Sequence, residues 1–479
     1  MKLVKSLLLA APAAILAVGA QAADLPTKKA APVSYVKVCD AYGAGFFYIP
    51  GTDTCLKVGG YVRAQYEYTP RKTVATINPS YKAPGASSLT LTAPAAEDAT
   101  GWLARGRVDM DARTQSAWGT VRTVLGLRLQ VGSGQFQGNA NGTAYGATTP
   151  AQSVWAEAAY MQFAGFTAGR AGENFAFMPP FTWTGQHFWA GYPVGVKQLA
   201  YTATFGGGFS ATLALEDKAD LSYMNQAGTI YGTAPYAAAA PTYLFPNNAP
   251  VFVGNLRVDQ AWGSAQIMGT VGQNRAVDNA FGGTSTTPAT YTRTGYAIGA
   301  GVKFNLPMLA AGDALYLTAA YADGMLDQLE GNSTSSNNPD STNNLRGLVH
   351  ADQNLWTNGS AVSSTKGYAL GGMLVHYWAP TLRSVVAASY INLHQPGFVS
   401  SAAWYAGGMS NVHAYEVSGS LIWAPVTNFD IGVELAYRKL EQSVTGSAAD
   451  VALFNRTNVL NASVNPNAWN ARLRIQRTF

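Results

Sequence analysis

The stretch that most constrains the fold is the last one, Asn467 to Phe479. Read with period two, Arg472, Arg474, Gln476 and Thr478 share one face. Ala471, Leu473, Ile475 and Phe479 share the other, with Arg477 as the one exception. Such alternation describes a β-strand that is polar on one side and apolar on the other. A transmembrane barrel has a use for this ending, because its last strand pairs with its first and an aromatic there can sit at the membrane interface. The final strand of a soluble β-sandwich would show the same local pattern, so the rest of the chain must decide.

The pattern recurs. From Leu56, the residues Lys57, Tyr61, Arg63, Gln65 and Glu67 oppose Leu56, Val58, Val62, Ala64, Tyr66 and Tyr68. Arg105, Arg107, Asp109, Asp111 and Arg113 share one face of 101–114, while Arg122, Arg128 and Gln130 oppose Val121, Thr123, Leu125, Leu127 and Leu129. Arg293 and Lys303 oppose Tyr296, Ile298, Val302 and Phe304, and Asp430, Glu434 and Arg438 oppose Phe429, Ile431, Val433, Leu435 and Tyr437. Each strand is expected to carry one apolar face and no second, as a lipid shell around a wet lumen requires.

About sixteen strands are expected, near 56–68, 101–114, 119–131, 151–163, 167–171, 196–205, 209–216, 250–259, 262–275, 292–304, 312–323, 365–378, 382–394, 411–424, 427–440 and 467–479. The faces of 151–163 and 365–378 are ambiguous. Short connections such as Gln115 to Trp118, Gly206 to Gly208 and Pro425-Val426 alternate with long ones at 69–100, 217–249, 324–364 and 441–466. Outer-membrane barrels have this asymmetry of tight periplasmic turns and long outer loops; sandwiches mix their connection lengths.

Composition agrees, since 48% of residues are hydrophobic and only 12% charged, about half the charged share usual for a soluble protein. A net charge of +5 with no basic block gives no footprint for nucleic acid. Lys2 and Lys5, an apolar run from Leu7 to Val18, and Ala20-Gln21-Ala22 read as an export signal cleaved after Ala22. The expected organisation is a signal peptide at 1–22, a periplasmic arm and cysteine loop at 23–55, and the barrel at 56–479. Export places Cys39 and Cys55 where a disulfide can form; two free thiols are the alternative, and no His or second Cys pair stands nearby for a metal.

The connection 172–195 differs from its neighbours in carrying Phe175, Phe177, Phe181, Trp183, Phe188 and Trp189. So many aromatics are poorly placed in water, which predicts a loop folded inward against the wall or packed at a subunit contact.

The run Val38-Cys39-Asp40-Ala41-Tyr42-Gly43-Ala44-Gly45-Phe46-Phe47-Tyr48-Ile49-Pro50-Gly51-Thr52-Asp53-Thr54-Cys55-Leu56-Lys57-Val58-Gly59-Gly60-Tyr61-Val62-Arg63 resembles the general porins of alphaproteobacteria, of rhizobial and Brucella type. Tyr160 to Phe166 and Leu473 to Phe479 carry the same likeness. The resemblance implies a homotrimer of sixteen-stranded barrels in the outer-membrane lipid of a Gram-negative cell. Each would pass small hydrophilic solutes and ions passively, with the third long loop folded into its pore. The constriction candidates are Arg63, Arg105, Arg107, Asp109, Asp111, Arg113, Arg122, Arg128 and Glu173. One departure stands out: porin eyelets commonly set acidic loop residues against basic wall residues, and 172–195 carries only Glu173. Inward arginines would then favour anions, unless Asp109 and Asp111 neutralise them within the wall.

His187, His350, His376, His394 and His413 are scattered without metal-ligand spacing. The sequence holds no Gly-x-Ser-x-Gly elbow and no phosphate loop, so neither cofactor nor catalytic residue is expected. A passive porin leads. A substrate-selective channel, an outer-membrane barrel enzyme and a secreted adhesin are the alternatives, separable by saturable conductance block, by a nucleophile and base meeting at the rim, and by solubility without detergent.

Overall fold

The computed structural model describes residues 37–68, 99–134, 151–183, 187–191, 195–217, 227–229, 243–244, 249–278, 289–330, 354–357, 362–397, 411–444, 462–464 and 467–479. The expected signal peptide, most of the arm after it and most of the long outer loops lie outside the described residues.

Sixteen antiparallel strands form the wall: β1 (Cys55–Tyr68), β2 (Thr100–Ser116), β3 (Gly119–Gly134), β4 (Ala151–Phe163), β5 (Phe166–Gly172), β6 (Gly195–Gly206), β7 (Phe209–Glu216), β8 (Val251–Gln260), β9 (Gly263–Asp278), β10 (Ala289–Asn305), β11 (Ala314–Asp323), β12 (Lys366–Ala379), β13 (Leu382–His394), β14 (Val412–Val426), β15 (Phe429–Val444) and β16 (Asn467–Thr478). Each pairs with its sequence neighbours, and β16 returns to β1 through Tyr61↔Thr478 to Tyr68↔Ala471. Closure leaves no sheet edge along that seam.

Exposure alternates as the sequence requires. Val62, Leu199, Leu213, Leu256, Ile267, Ile298, Val386 and Leu435 face outward and exposed, while their strand neighbours turn into the lumen. At the short-turn end, Trp118, Phe166, Phe209, Trp262, Trp378 and Phe479 are exposed. Toward the other end the outer face carries ring pairs such as Tyr66–Trp102 and Tyr437–Trp469, each with centroids 4.7 Å apart. Two aromatic levels bounding an apolar band are the girdles of a membrane barrel. Arg477, the exception in the last strand, sits at the short-turn rim and donates to the carbonyl of Thr427.

At the seam, β16 ends opposite Gly60, whose N–H donates to the carbonyl oxygen of Phe479 at 3.1 Å. Gly60 has φ +152, and a Cβ there would run into the carbonyl oxygen of Arg107, so only glycine fits. Below this point the free edge of β1 is taken up by Phe47–Tyr48, paired as Phe47↔Leu56 and Tyr48↔Cys55. The Cys39–Cys55 disulfide closes this hairpin. Its aromatic residues lie over lumen-facing cations, with Arg113 at 4.9 Å from the Phe46 ring and 5.6 Å from Tyr42.

One expectation fails in part. The inner faces of β11 and β12 are not charged: Ala314, Tyr316, Thr318, Ala320 and Ala322, and Gly367, Ala369, Gly371, Met373 and Val375, point into the lumen. They are apolar because other protein covers them, which also explains the ambiguous faces of 365–378.

Candidate functional site: the channel and its inward loop

The loop after β5 crosses the lumen and is pinned to the far wall. At its start the Asn174 N–H donates to Glu216 Oε1 at 2.9 Å, and the Asn174 side chain donates to Gln198 at 2.7 Å. Farther along, the Trp183 N–H donates to both oxygens of Glu434, at 2.9 and 3.1 Å, and the Trp183 carbonyl accepts from Arg472. His187 bridges Ser418 at 2.8 Å and Ser389 at 3.2 Å and stacks on Trp189 with centroids 4.5 Å apart. Burial pushes the His187 imidazole down to about 4, with nearby Arg438 acting in the same direction and Glu416 against it.

The aromatics that made this loop unusual seat in gaps left by wall glycines. Phe175 packs over Gly299, Phe177 over Gly301, Trp183 over Gly432 and Trp189 over Gly371. A Cβ at any of these glycines would crowd the ring above it. The loop thereby covers the apolar inner faces of β10–β12. A second segment supports it: after β11 the chain turns inward through Met325, Leu326 and Leu329, all fully buried, in and around the helical turn Asp327–Glu330. The carbonyl of Gln328 accepts from the Gly191 N–H at 3.1 Å. The sequence shows 324–364 only as a long outer connection; the apolar triplet Met325, Leu326 and Leu329 is the signal in it for this fold-back.

The opposite arc, β16 and β1–β4, carries charge. Arg107 binds Asp109 and Glu157, each at 2.8 Å, and Arg128 reaches the other Glu157 oxygen at 2.7 Å. Asp111 lies between Arg113 at 2.8 Å and Arg122 at 2.9 Å. Arg472 binds Glu67 at 2.6 Å. Two arginines are instead held by amide oxygens, Arg63 on Gln476 at 2.8 Å and Arg474 on Gln65 at 2.9 Å, and Arg105 also donates to Gln130 at 2.9 Å. A neutral acceptor fixes the guanidinium without cancelling its charge. All the wall candidates named from the sequence thus lie on one lumenal arc in neighbouring ion-pair and hydrogen-bond groups, beside Glu157, Arg472 and Arg474, which were not among them. Glu157 was missed because it is the extra residue of a bulge, with Gly126↔Ala158 followed by Leu127↔Ala156. That bulge reverses the face parity of β4 and is why the faces of 151–163 are ambiguous in the sequence.

Glu173 does not stand on this arc. It is buried and accepts from Gln328 Nε2 at 2.8 Å. As the sole acid of 172–195, it leaves the loop without a carboxylate to set against the arginines. Asp109 and Asp111 do neutralise part of the wall, yet β16 and β1–β4 place eight lumenal arginines and Lys57 against only Glu67, Asp109, Asp111 and Glu157.

A closed antiparallel barrel with a girdled apolar exterior, an ionic lumen and a loop narrowing that lumen defines an outer-membrane porin channel. Residues 24–464 match the family model described as Porin subfamily, and the chain belongs to that family. It is 32% identical over 294 residues to Porin Omp2b of Brucella suis biovar 1 (strain 1330), a match covering 57% of this chain and 67% of the relative. Porin Omp2b of Brucella melitensis biotype 1 matches at the same identity, 32% over 294 residues. Among solved structures, the outer membrane channel DcaP of Acinetobacter baumannii superposes with a TM-score of 0.53 at 14% identity, covering 90% of this chain and 99% of that one. At that identity the likeness is one of fold.

Proposed function

We propose that this porin passes small hydrophilic solutes and ions passively, prefers anions, and works as a homotrimer. The anion preference is carried by Arg63 and Arg474, whose charges are oriented by Gln476 and Gln65 rather than met by carboxylates, while Glu173 is buried away from them. Field lines in such a lumen favour anion entry. In a planar bilayer with a potassium chloride gradient, the zero-current potential should take the chloride sign and shrink in the variant carrying Arg63→Gln and Arg474→Gln. A potential of the potassium sign in the wild type would overturn the reading.

The homotrimer is supported by the resemblance to general porins and by a low stretch of wall. β5 has 7 residues and β7 has 8, below the roughly 9–11 a membrane strand needs. There the ion pair Lys197–Asp217, 2.6 Å long, lies on the outer surface among exposed Leu199, Tyr201 and Leu213. Light scattering in detergent should give three chains per particle; a monodisperse monomer would refute this part.

A further inference from the structure

Between the inward loop and the short turns lies a cavity of about 700 Å³. Phe177 and Pro179 roof it, and the inner faces of β8–β11 form its walls. Its chemistry differs from that of the arginine arc across the lumen.

Lys303 extends over the Tyr316 ring at 5.6 Å, and among the described residues no carboxylate stands within ion-pair distance of it. Asp259, the carboxylate of this cavity, is taken up by two nitrogens of Arg257 at 2.8 Å each. The amides are polarised in one sense: Gln260 donates its NH₂ to the Gly207 carbonyl, and Asn305 donates its own to the Ala261 carbonyl at 3.0 Å. Both amide oxygens therefore remain as acceptors. The lining so combines one ammonium for an anionic head, two acceptors for hydroxyl donors, the Ser264 hydroxyl and the rings of Phe177 and Tyr316. Chloride would use only the ammonium and a neutral sugar only the acceptors; a molecule with a carboxylate and several hydroxyls uses all of them.

We propose that this cavity is a binding site for small polyhydroxylated monocarboxylates, the sugar acids, occupied on their way through the channel. The inference rests on the channel reading. Its test uses the whole protein in a planar bilayer, with potassium chloride current recorded while glucuronate, glucose or acetate is added. Glucuronate should reduce the current saturably, with a half-effect at about tenfold lower concentration than either reference, the discrimination expected of a charge-assisted hydrogen bond. Lys303→Gln should raise that concentration about tenfold, and Asn305→Leu should bring glucuronate toward acetate. Glucuronate no more effective than acetate and glucose on the wild type would overturn the site, and so would undiminished block in Lys303→Gln. The three-solute comparison needs no variant, so it decides even where a substituted chain fails to assemble. A wild type that conducts without selective block sinks this inference alone; one that does not conduct sinks the channel reading.

Discussion

Phe177 of the inward loop lies on Gly301 of β10 so closely that a Cβ built on the glycine would overlap atoms of the ring. The loop position is thus set by an absence in the wall. Gly301→Val should lift this part of the loop at a cost of roughly 1–3 kcal/mol, the usual penalty of overpacking. Because the loop lies between this wall and the open lumen, single-channel conductance and the thermal midpoint should both fall; a channel unchanged in both would show that the notch does not position the loop.

His187 predicts a pH dependence for the docked loop. The imidazole is neutral in place because burial lowers it to about 4, while the unfolded side chain titrates near its ordinary value of 6.5. Above pH 6.5 neither state is protonated and the docked loop has its full stability. As pH falls from 6.5 to 4 the unfolded state binds the proton first, and stability is lost by an amount on the order of 3 kcal/mol. The groups around the ring are Glu416, Arg438, Ser389 and Ser418. Unfolding midpoints measured from pH 7 to 4 should fall in the wild type and fall less in His187→Gln; parallel curves would contradict this assignment.

The Cys39–Cys55 bridge spans 16 residues of sequence. Loop-closure estimates give about 3 kcal/mol for a loop near this size. Since its hairpin covers the β1 edge beneath the seam, Cys39→Ser with Cys55→Ser should lower the unfolding midpoint. Reductant should do the same to the wild type and nothing further to the variant. Equal midpoints with and without reductant in the wild type would show the bridge to be dispensable.

Most of the wall was legible because a membrane strand must repeat one rule at every second residue. Strands 151–163, 209–216 and 382–394 were placed to the residue. By contrast β10 runs from Ala289 where 292 was expected, and β9 reaches Asp278 where 275 was expected. The constellation of the site was harder to see. Alternation shows on which face Arg63 lies but not that Gln476 orients it, because the partners are 413 positions apart. Glu173 was read by charge as a constriction residue, and nothing local showed that Gln328 would draw it into the interior. The wall glycines carry no side chain to interpret; their meaning belongs to rings on another segment.

The seam joining β1 to β16 has a consequence for biogenesis. Every other pairing in the wall links strands adjacent along the chain, so those hairpins can zip up locally, whereas Tyr61 must find Thr478 across nearly the whole polypeptide. The entropy of so large a cycle grows only slowly with its length, yet it must be overcome before any contact at the join gives a return. The ribbon can therefore be almost complete and still leak sideways into the bilayer, and only its final bond turns a curved sheet into a conduit.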